Sequence, residues 1–166
     1  MHLIAETPRL LIRTFRPDEE EAYVQLFADE RVNLHLPKRT NDENRQIFSD
    51  TLKDDAEGAI FSKWAIINKA DNAFIGMGLL RIYNSEADRL EVGYALHQQY
   101  WGGGLATELV GALIAFAAKH PAIKSIVAVT TPENQASMAV LEKSGLTKKG
   151  SIVRSNEELI FFERKL

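Results

Sequence analysis

No cysteine occurs in the chain. That absence excludes disulfides, thiolate metal ligands and a cysteine nucleophile, so any thiol the chemistry requires must arrive with a ligand. Histidine is scarce and scattered: His2, His35, His97 and His120 show no HxxxH or HExxH spacing, and a dedicated metal site is not expected. Long apolar runs are missing as well. The opening MHLIAETPRLLIRTFRP is broken by Glu6, Pro8 and Arg9, which reads as neither signal peptide nor membrane span, and a cytoplasmic location follows as the default expectation. There is no excess of positive charge: 20 Lys and Arg stand against 23 Asp and Glu, a net charge of −3. Nucleic acid is therefore not expected as the main partner, because duplex binding is driven by clustered cations. Repeats, low-complexity tracts and Pro/Gly/Ser linkers do not occur. What is present is 166 residues, 45% hydrophobic and 26% charged, the mix of an ordinary globular chain, read as a single domain over residues 1–166.

The segments alternate between strand and helix signals. Leu10 to Phe15 reads as a strand, and Pro17 followed by Asp18, Glu19, Glu20 and Glu21 opens a helix running to about Asp29. Asn41 to about Glu57 reads as a second helix. Ile60 to Ile67 and Phe74 to Tyr83 read as a hairpin, joined by Lys69-Ala70-Asp71-Asn72. In Arg89 to His97, Leu90, Val92, Tyr94 and Leu96 fall on one face, with Glu91, Gly93 and Ala95 on the other. Leu105, Leu109, Leu113 and Phe116 repeat at helical spacing until Pro121 stops the segment. Ser125 to Thr130 is a short apolar run suited to a buried central strand. Asn134 to Ser144 reads as a helix closed by Gly145, with Leu146 packing back. Ile152 and Leu159 to Phe162 mark terminal strands. The order β-α-α-β-β-β-α-β-α-β-β describes a mixed α/β sheet with helices on its faces, and the single crossover between the Arg89 and Ser125 strands makes them parallel neighbours.

Gly102, Gly103 and Gly104 lie between that strand and the most helix-prone segment. Three glycines could form a flexible turn, or could let the backbone approach an anion and present its N–H groups, as phosphate-binding loops do. The spacing Gln99-x-x-Gly102-x-Gly104 is neither the dinucleotide fingerprint nor a P-loop, which disfavours nucleotide hydrolysis. Four ordered stretches resemble the GNAT N-acetyltransferase superfamily, and its RimJ/RimL branch in particular. They are TPRLLIR, Glu91-Val-Gly-Tyr, Trp101-Gly-Gly-Gly-Leu-Ala-Thr-Glu, and Asn134-Gln-Ala-Ser137 with Leu141-Glu-Lys-Ser-Gly-Leu, and they span essentially the whole chain.

The resemblance implies the GNAT fold, with a mostly antiparallel mixed sheet, strands four and five parallel and splayed, and helices on both faces. It implies acetyl-CoA as cosubstrate, with the loop residues Gly102, Gly103, Gly104, Leu105 and Ala106 cradling the pyrophosphate and Gln99 adding a donor. The Ala95–His97 region, with Leu96 and His97, would supply the main-chain donor to the thioester oxygen at a bulge, and Asn134 would meet the pantetheine arm or cap its helix. Acyl transfer to an amine requires a base, an oxyanion donor and an acid. The base would be Glu91, alone or through water, although an ion pair with a nearby Arg would explain that residue equally well. Ser137 would act at the departing sulfur; His97 is a weaker candidate for the base. The acceptor side is ADERVNLHLPKRTN, residues 28–41, which forms no acidic pocket for a polyamine. Three functions stay open: transfer to a protein N-terminal amine, transfer to a small-molecule amine, and acyl-CoA sensing without turnover. A homodimer through an exposed terminal strand is also open.

Overall fold

A computed structural model describes residues 1–166. Eight strands form one sheet in the order β1-β2-β3-β4-β5-β6-β8-β7. These are β1 (Leu3–Glu6), β2 (Leu10–Arg13), β3 (Lys63–Asn68), β4 (Ala73–Tyr83), β5 (Glu86–Leu96), β6 (Ser125–Thr130), β7 (Thr147–Arg154) and β8 (Glu157–Lys165). The helices are α1 (Glu20–Ala28), α2 (Glu30–Asn33), α3 (Asn41–Ala56), α4 (Leu105–Ala117) and α5 (Gln135–Lys143). Every neighbouring pair of strands is antiparallel except β5 and β6. The fourth and fifth strands of the sequence reading are these two, renumbered because β1 precedes the first strand that was expected.

The sheet separates two cores, and strand alternation decides which residue enters which. Leu90, Val92 and Leu96 of β5 join Leu109, Val110, Leu113 and Ile114 of α4 in the larger core, with Trp64 of β3 fully enclosed. Ala95 and Met77 face the other way, toward Phe15, Tyr23, Phe27 and Phe48 beneath α1 and α3. Tyr83 is buried. No helix is long and apolar enough to cross a membrane.

Several elements go beyond the sequence reading, each with a local cause. β1 follows from Leu3, Ile4 and Ala5 pairing back on β2 around the Thr7-Pro8-Arg9 turn, where Thr7 Oγ1 accepts from Leu10 N at 2.9 Å. α2 is a single turn capped by Asp29, inside the stretch read as a connection. α3 starts where expected because Thr40 and Glu43 form a reciprocal capping box. β3 begins at Lys63, three residues later than expected, and Ile60 is exposed. β5 begins earlier, at Glu86, because Asn84 and Ser85 both take positive φ in a tight hairpin turn with β4. The same device at Ser155 and Asn156 extends β7 and β8 well beyond the Ile152 and Leu159–Phe162 cores.

Candidate active site

Pairing between β5 and β6 covers only three positions, Arg89 with Ser125, Leu90 with Ile126 and Glu91 with Val127. Beyond them β5 stays with β4 as far as Leu96, β6 stays with β8 as far as Thr130, and the two parallel strands part. Because His97 N donates to Ile75 O of β4, the alternation turns the main-chain groups of Tyr94 and Leu96 toward the opening. Leu96 O is already held there by the Trp101 indole at 2.8 Å, which leaves the Leu96 N–H facing the gap. The expected bulge at Ala95–His97 does not occur, since register with β4 is continuous from Leu90 to Leu96. The fork arises because β4 and β8 each hold one of its arms. His97 is not brought into it: its N–H is committed to Ile75 O, and its ring stands edge-on to Phe74 at 6.3 Å.

The glycine loop lies at the end of β5. Gln98–Tyr100 forms a single 3-10 turn that leaves Gln99 exposed, and α4 starts with Gly104 as its cap. Gly102 and Gly104 take φ of +76° and +81°, a region that side chains disfavour, whereas Gly103 does not, and a Cβ on Gly103 would meet nothing within 4 Å. Two glycines are thus required by conformation and one is not. The first-turn N–H groups of α4, from Gly104 through Leu105 and Ala106, have no intrahelical partners and point out of the positive end of the helix.

The loop is braced by the TPRLLIR stretch. Glu108, in the first turn of α4, accepts from Thr7 Oγ1 at 2.5 Å and Arg9 N at 2.9 Å through one oxygen, and from Arg9 Nε at 2.6 Å through the other. Arg9 Nη1 also donates to Gly103 O at 2.8 Å. Burial alone would raise the Glu108 carboxyl; the bonds from Thr7 and Arg9 outweigh it and hold the group below its ordinary range. A carboxyl so lowered stabilises the fold above the ordinary carboxylate range and loses that contribution as pH falls through its own lowered value. Glu108→Ala is accordingly expected to cost roughly 1–2 kcal/mol in urea unfolding at pH 7, with a smaller difference from the parent at acid pH. An equal cost at both pH values would show that the carboxylate charge is not what closes the latch.

Across the fork, Asn134 caps α5 by accepting from Ser137 N at 3.1 Å, so the capping role holds. Ser137 is half-buried beside Tyr94, which sequence reasoning did not single out. Burial pushes the Tyr94 phenol up, and the Ser137 hydroxyl acts weakly the other way. The helix α5 has no tyrosine of its own, and the face that Tyr94 shares with Leu90 and Val92 turns it toward α5. Two contacts from residues 28–41 reach the arms of the fork. Arg31 Nη1 donates to Gln98 Oε1 beyond the end of β5, and His35 Nδ1 meets Thr131 Oγ1 at 3.0 Å beyond the end of β6. Asp29 holds Arg31 in place, and that guanidinium lowers the Asp29 carboxyl to about 2.

Glu91 lies on the opposite face of β5, 7% exposed, where the two strands part. Its carboxylate accepts from Arg81 Nε and Nη2 at 3.0–3.1 Å and from Arg154 Nη1 and Nη2 at 2.9 and 3.2 Å. The ion pair weighed against a catalytic role is therefore present, with two arginines rather than one. Arg154 comes from the far hairpin, and no spacing in the sequence announces it.

A family model described as "Acetyltransferase (GNAT) domain" matches residues 9–147. The uncharacterized N-acetyltransferase YnaD of Bacillus subtilis is 27% identical over 152 residues, 90% of this chain and 85% of that protein. A GNAT-family acetyltransferase from Bacillus anthracis superposes with a TM-score of 0.83 at 24% identity, over 99% of this chain and 98% of the other. RimL, a ribosomal L7/L12 alpha-N-protein acetyltransferase solved with coenzyme A, gives 0.83 at 19% identity, again over 99% and 98%.

Proposed function

The chain belongs to the GNAT acetyltransferase family, and from that premise we propose that it moves the acetyl group of acetyl-CoA to the amine of a protein N-terminus by direct attack in a ternary complex. The observation that carries this is the junction of two features: the glycine-capped start of α4 and the opened edges of β5 and β6 beside it. The first suits a pyrophosphate, which the N–H groups of Gly103 to Ala106 and the helix dipole stabilise, with Gln99 free to add a donor. The second suits the pantetheine amides, which pair with exposed strand edges as an added strand does.

Each residue then has a task. The Leu96 N–H points where charge grows on the thioester oxygen. The amine loses its proton to ordered water, which passes it to solvent, while Glu91, its lone pairs taken by Arg81 and Arg154, holds those two guanidinia in place. As the amine nitrogen bonds to the acyl carbon and the carbon–sulfur bond breaks, Tyr94 and Ser137 place hydroxyl protons at the departing thiolate. A phenol raised by burial stays protonated at neutral pH, so turnover is expected to fall only as pH rises through that raised value. Tyr94→Phe should lower kcat by roughly 10-fold and move that alkaline limb, with acetyl-CoA affinity changed less than about twofold. Unaltered kcat and limb in both Tyr94→Phe and the double variant with Ser137→Ala would remove these hydroxyls from the chemistry.

The RimJ/RimL-like motifs and the likeness to RimL support a protein N-terminal acceptor. A small-molecule polycation such as an aminoglycoside fits less well, because Arg81, Arg154 and Lys63 line the sheet beside Glu91. Free thiol released from acetyl-CoA across N-terminal peptides and small amines tests the assignment. Peptide-dependent release is expected; release with none of these amines would overturn the transfer reading in favour of a sensor.

A further inference from the structure

On the face of the sheet that carries Glu91, cationic groups outnumber the carboxylate that holds them. Arg81 sits directly across from Glu91 on β4, and Arg154 reaches it from the end of β7. Arg81 uses Nε and Nη2 on Glu91, and Arg154 uses Nη1 and Nη2. Arg81 Nη1 and Arg154 Nε are left over. The Glu91 carboxylate is buried, while the Arg81 and Arg154 side chains are 54% and 31% exposed. Lys63, on β3 beside Leu79, faces the same side. Burial lowers its ammonium and Arg81 lowers it further, against a weaker opposing effect of Asp54 and Asp50. Arg89, on the same face, is by contrast neutralised by Glu86 and Glu163 and stacks on Tyr83 and Phe161. The excess is therefore local to Arg81, Arg154 and Lys63. Two guanidinia fixed by one buried carboxylate, each part-exposed and with a donor that Glu91 does not use, form a fork of the kind that binds a carboxylate.

Resting on the reading that the chain acetylates an amine, we propose that the acceptor carries a carboxylate, which docks on Arg81 and Arg154 while its amine reaches the fork between β5 and β6. Glu91 and Tyr94 are three residues apart on β5, about 10 Å. That span is too long for the carboxylate of a free α-amino acid, which lies within about 4 Å of its amine, and admits the side chain of an acidic residue near a peptide N-terminus. Glu91 then has a positioning role besides any role in proton transfer, since it holds both guanidinia in place.

The test is kcat/KM, with acetyl-CoA saturating, for paired acceptors: free amino acids against their amides, and short peptides with Asp or Glu at the second or third position against the same peptides with Asn or Gln. The peptides with Asp or Glu are expected to be favoured over their Asn or Gln counterparts by roughly 10-fold, mainly through KM, whereas the free amino acids, too short for the span, should not differ from their amides. In Arg81→Gln the acid-to-amide ratio should collapse toward one, and Arg81→Lys should restore part of it. Equal kcat/KM within every peptide pair, or a ratio unchanged in Arg81→Gln, overturns the carboxylate dock and leaves acetyl transfer standing. Absence of thiol release with every acceptor would overturn the transfer reading, and this inference with it.

Discussion

Gly104→Val is expected to weaken acetyl-CoA binding by roughly 100-fold or more, whereas Gly103→Lys should stay within about threefold of the parent. Gly104 sits at φ +81° as the cap of α4, and a β-branched residue there is strained whatever space surrounds it. Relief of the strain would rotate the N–H groups at the helix start away from the pyrophosphate. A Cβ at that position would meet Arg9 Nη2 at 3.6 Å, an ordinary contact, so the penalty lies in the backbone. At Gly103 no such strain exists, since φ is ordinary and the space is open, and a lysine adds a cation beside two phosphates. Titration calorimetry of both variants, with circular dichroism to confirm their fold, reads the contrast. Equal affinities would remove the loop from the cofactor site.

Glu91→Gln is expected to have two separable effects. Stability should fall by roughly 2–3 kcal/mol, because two guanidinia lose the charge that holds them together on a largely buried carboxylate. Turnover should fall by at least about 10-fold, because Arg81 and Arg154 are no longer held together beside the fork. Acetyl-CoA affinity should hold, since Glu91 faces away from the loop and from α5. Denaturant unfolding and kcat distinguish the two roles: lost stability with unchanged turnover would make Glu91 purely structural.

The face alternation of β5 was readable from Leu90, Val92, Tyr94 and Leu96, and the β5–β6 parallel neighbourhood from a single helical crossover. The positions of α3, α5 and β6 followed from Asn41, Asn134 with Gly145, and a six-residue apolar run. These are local signals of caps and periodicity. The strands added at Leu3–Glu6 and along Thr147–Lys165 depend on pairing with partners distant in sequence, and the exposed β7 carries no alternation strong enough to show it. The site divides in the same way. Gly102 and Gly104 were recognisable because conformation is written in residue type. The roles of Arg9 and Thr7 on Glu108, about a hundred residues away, were not, nor was the arrival of Arg154 at Glu91, 63 residues away. Such pairs are set by tertiary packing and leave no periodic trace.

Binding of acyl-CoA requires the fork and the glycine loop to act together. Calorimetric titration of acetyl-CoA into the full chain tests this directly. Saturable binding of one acetyl-CoA per chain, lost in Gly104→Val, is the predicted result. Heats no greater than dilution, with the protein folded, would contradict it.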